Sequence, residues 1–317
     1  MQARQLGRTG LRVSPVSFGC VELGIPYGIG VRDRADMLSD GQAVALLQAA
    51  LARGVTLYDT APSYGTSEAL LGRAFESRRD DVVICTKCPG LTGADGRVLR
   101  KRAMRDRILA SLDASLKALR TDHVDILMLH RVEEALIAND EVAEVFEDVM
   151  SQRAVMLKGV STYPGGITGR VIASGRWQVV QVAFSLMDQR EGPFLEMAES
   201  AGVGVIARSV LLKGILTDRG RDLHPGLKSV QDHRERCLAE TPAGMTLSTF
   251  ATRFALGRRG VHSVLVGIDR EEYLDQAVAL AEAGPLAPDD ARRAEALAFP
   301  EPDFIDLPGW HAKGWLT

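Results

Sequence analysis

The sequence predicts a closed, parallel (β/α)8 barrel, and three observations carry that prediction. Short apolar runs rich in β-branched residues alternate with longer amphipathic segments along most of the 317 residues. Eight such units occur, and parallel pairing demands a crossover that is usually a helix. The runs are nearly continuously hydrophobic, as strands covered on both faces should be. A doubly wound sheet fits less well, because no G-x-G-x-x-G opens a helix; GIG at 28–30 lacks the third glycine and a flanking strand.

Taken in order, VSFGC (16–20) precedes a helical pattern over 41–53, and VTLYD (55–59) precedes one over 67–76. DVVICTK (81–87) leads to a helix over about 103–119, and VDILMLH (124–130) to 141–152. MLKGVS (156–161) leads to 168–175, WQVVQVAF (177–184) to 194–202, and VGVIARS (203–209) to two helices across 228–256. HSVLVG (262–267) precedes 270–284. The expected architecture is therefore one barrel domain over 1–317, with extra helices after the seventh strand. The tail, 299–317, is expected over the barrel mouth. No Pro/Gly/Ser linker divides the chain.

Composition narrows the function. The chain is 46% hydrophobic and 25% charged, with a net charge of −3, so no concentrated basic face for nucleic acid is expected. No apolar run reaches signal-peptide or membrane-span character, and a cytoplasmic enzyme acting on a small molecule is the expectation. Cys20, Cys85, Cys88 and Cys237 are too few for a disulfide scaffold. Cys85-Thr86-Lys87-Cys88 is a C-x-x-C, but no second pair completes a zinc site and the six histidines lack ligand spacing. No metal site is expected.

Side chains at C-terminal strand ends converge on one barrel mouth. Asp59 ends the second strand, Lys87 the third and His130 the fourth. Strand alternation puts Asp59 on the face of Val55 and Leu57, Lys87 with Cys85, and His130 with Ile126 and Met128. Three ionisable groups on consecutive strands at the same end point to chemistry.

The segment Asp59-Thr60-Ala61-Pro62-Ser63-Tyr64-Gly65-Thr66-Ser67-Glu68-Ala69-Leu70-Leu71-Gly72 resembles the D-T-A-x-x-Y-G-x-S-E-x-x-L-G signature of the aldo-keto reductase superfamily. Lys87 and His130 match its next motifs, and the resemblance runs from Leu6 to about Ala283. It implies a catalytic tetrad of Asp59, Tyr64, Lys87 and His130, and hydride transfer between a nicotinamide cofactor and an aldehyde, ketone or sugar. A tyrosine, with an ordinary pKa of about 10, is a reluctant acid near neutrality. A lysine ammonium beside it is expected to lower that pKa, with Asp59 orienting Lys87. His130 is expected to hydrogen-bond the substrate oxygen.

The resemblance also implies cofactor contacts. Ser161, Thr162 and Gln181 are expected at the nicotinamide amide, and Phe184 under its ring. Arg208, Ser209, Leu212 and Gly214 are expected at the pyrophosphate, and Gly267, Asp269 and Arg270 at the adenosine end. Thr162 stands where the family usually has Asn, Asp269 where Lys or Arg often holds a 2′-phosphate, and Ala277 where Asn often meets adenine. Family precedent favours NADP(H) over NAD(H). Asp269 pulls toward NAD(H), while Arg270 could swing onto a phosphate. Two other readings share the barrel: a redox-neutral epimerase or lyase on a bound nicotinamide, and a nicotinamide-binding regulatory protein like the potassium-channel β-subunits.

Overall fold

The computed structural model describes residues 1–152 and 154–316. An antiparallel hairpin of β1 (Arg4–Gln5) and β2 (Arg12–Val13) precedes the barrel. The eight barrel strands are β3 (Val16–Gly19), β4 (Leu57–Asp59), β5 (Val83–Cys88), β6 (His123–Leu129), β7 (Ala154–Ser161), β8 (Val179–Ala183), β9 (Gly204–Arg208) and β10 (Ser263–Gly267). Each pairs in parallel with the next, and β10 closes on β3. The expected barrel is present.

The crossovers are α1 (Val21–Gly24) with α2 (Asp40–Ala52), then α3 (Ser67–Phe75), α4 (Lys101–Leu119), α5 (Glu134–Ile137) with α6 (Asp140–Gln152), α7 (Ile167–Ala173) and α8 (Gly192–Ala201). After β9 come α9 (Lys228–Ala239), the extra helix, and the crossover α10 (Leu247–Gly257). The chain ends through α11 (Glu271–Glu282), α12 (Pro288–Glu295) and α13 (Leu307–Ala312). Local signals fix several starts. Ser39 and Gln42 form a reciprocal capping box at α2, and Thr246 caps α10.

Two apolar layers result. Leu57, Cys85, Ile126, Met128, Leu157, Val179 and Ile206 fill the barrel, while a larger shell lies between strands and helices. Leu6 and Val13 of the hairpin join the interior layer and plug the barrel end opposite the mouth. Sequence periodicity misses this hairpin, because two-residue strands have no period to detect. The second strand is also shorter than expected: it spans Leu57–Asp59, with the Thr56 carbonyl just before it accepting from Val83 N at 2.7 Å.

The same alternation decides the C-x-x-C. Cys85 packs in the barrel interior and Cys88 in the outer shell, so the two thiols point to opposite sides of β5. All four cysteines are free and buried. Burial pushes both β5 thiols up, Cys88 to about 12, which removes the thiolate that redox or metal chemistry needs. Cys85→Ser with Cys88→Ser is therefore expected to keep turnover within a few-fold of the parent while lowering its melting temperature. Lost activity at unchanged melting and cofactor affinity would restore a thiol role.

Candidate active site

The mouth at the C-terminal strand ends opens into a cavity of about 1200 Å³, large for a single small-molecule site. Asp59 is the last residue of β4, Lys87 lies one residue before the end of β5, and His130 directly follows β6. Tyr64 stands on the turn after β4, where two glycines make its position possible. A Cβ on Gly24 would lie 1.7 Å from the Tyr64 carbonyl oxygen, and one on Gly65, at φ +57°, 2.3 Å from the Gly24 oxygen. No other residue lets α1 and this turn approach so closely.

Those four side chains meet. Lys87 Nζ donates to both Asp59 oxygens at 2.7 Å and to the Thr60 carbonyl at 2.9 Å, and lies 3.4 Å from Tyr64 Oη. Tyr64 Oη is 3.4 Å from His130 Nε2, and Ser63 Oγ is 3.5 Å from Nδ1 on its other side. With Ser63 donating to Nδ1, the imidazole carries its proton on Nε2, facing the cavity. Lys87 is fully buried behind Tyr64 and does not line the cavity.

Burial and charge compete at each group. Burial pulls the Lys87 pKa down, but Asp59, Tyr64 and Cys85 together outweigh it, so the ammonium is held charged. Burial, aided by Lys87, lowers His130 to about 4, so its ring is neutral at neutral pH. Tyr64 departs from expectation. Lys87 does favour the phenolate, but burial is the larger effect and the net shift is upward. Tyr64 therefore keeps its proton more firmly than a free phenol.

The opposite wall holds the residues expected at the nicotinamide. Ser161 ends β7, and its Oγ donates to Gln181 Oε1 at 3.2 Å, while Gln181 Nε2 donates to Asp59 Oδ1 at 2.8 Å. A continuous hydrogen-bonded chain thus links Ser161 to Tyr64 through Gln181, Asp59 and Lys87, a connection no sequence motif announces. Thr162 is turned away from the cavity. Its hydroxyl accepts from Thr168 at 2.7 Å and its carbonyl accepts from Arg208 Nη2 at 2.7 Å. A hydroxyl is too short to reach where an Asn amide would, so it bonds inside the wall. Phe184 reaches the cavity edge but is only 1% exposed, with its ring stacked 5.7 Å from Phe254. A planar group that lines the cavity at this wall is the Arg208 guanidinium, 4.4 Å over the Tyr163 ring.

The loop after β9 is conformationally strained. Ser209, Leu212 and Lys213 have φ of +59°, +48° and +57°, and Gly214 follows at +104°. Non-glycine residues in this region cost about 1–3 kcal/mol each and gather at ligand clamps. At the far end of the cavity lie Gly267 and Asp269, but Arg270 points outward, half exposed and 4.9 Å over Tyr273. The guanidinium that enters is Arg219, from the loop after β9, which ion-pairs with Asp269. Sequence reasoning missed Arg219 because 50 residues separate it from its partner. Glu22 was missed as well. Its carboxyl lies against Gly267, and burial together with Asp269 raises it to about 7 despite Arg219.

The tail reaches the mouth as expected. Ile305, Asp306, Leu307, Pro308 and His311 line the cavity, and Arg190, forked onto Asp188, anchors Asp303 and the Ile305 carbonyl. Its tryptophans serve docking: Trp310 is buried and Trp315 stacks 5.5 Å from His224. Tyr27 of the first loop does face the cavity.

With this geometry in hand, comparison with known proteins is decisive. The model of the Aldo/keto reductase family matches residues 16–298, which include all eight barrel strands. The chain belongs to the aldo/keto reductase family. L-galactose dehydrogenase of Arabidopsis thaliana is 29% identical over 95% of both chains. L-glyceraldehyde 3-phosphate reductase of Escherichia coli (strain K12) is 28% identical, covering 88% of this chain and 87% of the relative. A holo-form aldo-keto reductase from Bacillus halodurans shares the fold, with a TM-score of 0.78 at 24% identity over 94% of this chain and 96% of that one. This aldo/keto reductase is thus an oxidoreductase of a family that works with nicotinamide cofactors. Among the described residues no helix is long and apolar enough to cross a membrane, and no group of three His, Cys, Asp or Glu gathers as metal ligands would.

Proposed function

We propose that the chain, acting as one barrel domain, reduces the carbonyl of a small hydroxylated or sugar-like molecule with NADPH, and that Tyr64 supplies the proton. The observation that carries this is the contact of Tyr64 Oη with both Lys87 Nζ and His130 Nε2 at the floor of the cavity. The bound dinucleotide supplies the hydride to the carbonyl carbon. Tyr64, held as a phenol, gives its proton to the oxygen as negative charge develops there. Neutral His130 donates a hydrogen bond from Nε2 to the same oxygen. Lys87, fixed by Asp59, stabilises the phenolate that remains. A proton from solvent then restores the Tyr64 phenol.

The cavity walls fit a dinucleotide. Ser161, Gln181 and Arg208 would hold the nicotinamide, with Arg208 rather than Phe184 presenting the flat surface. Ser209, Leu212 and Gly214 would wrap the pyrophosphate, and Gly267, Asp269 and Arg219 the adenosine end. Thr162 positions Arg208 instead of touching the cofactor. A sugar-like substrate is favoured by the partners that Tyr27, Tyr163, Asp306 and His311 offer its hydroxyls among the apolar residues of the lining, and by the two sugar-acting relatives.

NADP(H) is preferred on this reading because Arg219 stands inside the cavity, and its charge can be shared between Asp269 and a 2′-phosphate. Arg219→Ala is expected to weaken NADPH by about 1–3 kcal/mol, as for a hydrogen bond to a charged group, with NADH barely changed. Arg270→Ala should do less. Fluorescence titrations of both variants with both cofactors decide the matter, and the reverse ranking would place the phosphate on Arg270. The function itself is tested by NADPH oxidation against a panel of aldehydes, ketones and aldoses. Product formed without consumption of cofactor would favour a redox-neutral reaction, and no turnover on any member of the panel would favour a binding role.

A further inference from the structure

Reduction changes the charge of the nicotinamide ring, which is neutral in the reduced dinucleotide and carries +1 in the oxidised one. Fixed charges beside the ring therefore decide which form is held more tightly. We propose that Arg208 makes this aldo/keto reductase selective for the reduced dinucleotide and drives off the oxidised product. The inference rests on the reading above, in which the hydride donor lies between Tyr64 and the Ser161–Gln181 wall.

Arg208, the last residue of β9, is held at that wall by three groups. Its Nη2 donates to the Thr162 carbonyl at 2.7 Å, Nη1 to Ser209 Oγ at 3.1 Å, and Nε reaches Ser161 Oγ at 3.4 Å. All are neutral. Among the described residues Arg208 has no carboxylate within ion-pair distance. The other arginines that line the cavity are paired, Arg190 with Asp188 and Asp303, Arg219 with Asp269, Arg221 with Asp218 and Arg234 with Glu235, and Lys87 behind Tyr64 is paired with Asp59. His130 is neutral and Tyr64 retains its proton, so neither offsets Arg208. Glu191 feels the field of Arg208, but its carboxyl is fully buried, and burial outweighs the neighbouring Thr168 hydroxyl and the nearby cations. Burial raises it to about 7, so it offers at most a partial charge at neutral pH. Lys213, 4.5 Å over Tyr27, adds a second cation at the same mouth.

The wall thus carries an uncompensated positive charge where a ring becomes positive as it gives up hydride. Like charges several ångströms apart along a partly buried wall repel more than in bulk solvent. A mixed cofactor pool would load the chain with the reduced form, and hydride transfer would loosen the product. A firmly protonated Tyr64 suits the same direction of turnover.

Dissociation constants measured at pH 7.5 and constant ionic strength, by fluorescence for NADPH and by calorimetry for NADP⁺, test this. NADH and NAD⁺ serve as the parallel pair. The unaltered protein should bind the reduced member at least about tenfold tighter. Arg208→Gln and Arg208→Met should bring the ratio near unity, mainly by tightening the oxidised form, whereas Arg208→Lys should keep it. A ratio under about threefold in the unaltered protein, or a ratio that persists in a neutral variant whose melting is normal, overturns the proposal. If no nicotinamide form binds at all, the proposed function fails rather than this inference.

Discussion

Tyr64→Phe is expected to lower turnover by a factor on the order of 10² to 10⁴, the usual worth of a well-placed general acid, while leaving melting and cofactor affinity nearly unchanged. The phenol oxygen touches Lys87 and His130 at 3.4 Å each, long contacts whose loss costs the fold little. Lys87 retains Asp59 and the Thr60 carbonyl without it. Burial outweighs Lys87 and raises the Tyr64 pKa, so the acid form persists to high pH. Reduction should accordingly show no alkaline decline below about pH 10 when chemistry is rate-limiting. Single-turnover measurements check both points. A Phe variant keeping more than half the parental rate in the chemical step removes Tyr64 from its role.

Lys87→Met is expected to be as inactive, but for two reasons that can be separated. The first is chemical: no cation then stabilises the phenolate. The second is structural, because Lys87 and Asp59 are both buried and share two 2.7 Å contacts. Removing one member of a buried pair leaves an uncompensated charge and costs about 3–5 kcal/mol. Denaturant unfolding should therefore register a loss that Tyr64→Phe does not produce. The double variant Lys87→Met with Asp59→Asn should recover most of that stability and none of the activity. If stability stays low in the double variant, the loss comes from packing of the lysine stem. If activity returns, the cation is not needed.

Much of this molecule is legible in the sequence because its signals are local. Strand and helix identity follow from apolar period, and the eight alternating units suffice to specify a parallel closed sheet. Asp59, Lys87 and His130 could be placed at one mouth because each ends its strand, and a strand end needs no knowledge of distant residues. Tyr64 came from the 59–72 signature, a continuous run. The C-x-x-C was decided by the structure, where β5 extends through Cys88 and residues three apart in a strand face opposite sides.

Tertiary structure alone decided which polar groups face the cavity and how their charges balance. Arg219 joins Arg270 at Asp269 and alone of the two lines the cavity, because the loop after β9 folds over the end of β10, a contact with no sequence period. Thr162 looks like a cofactor residue from its place after β7, yet its hydroxyl bonds Thr168 within the wall. The direction of the Tyr64 shift depends on how deeply the folded barrel buries the phenol, against the pull of the buried Lys87 ammonium. Local order sets where a strand ends and which residue stands there. Solvation and pairing are sums over neighbours from many strands, so they exist only once the barrel has closed.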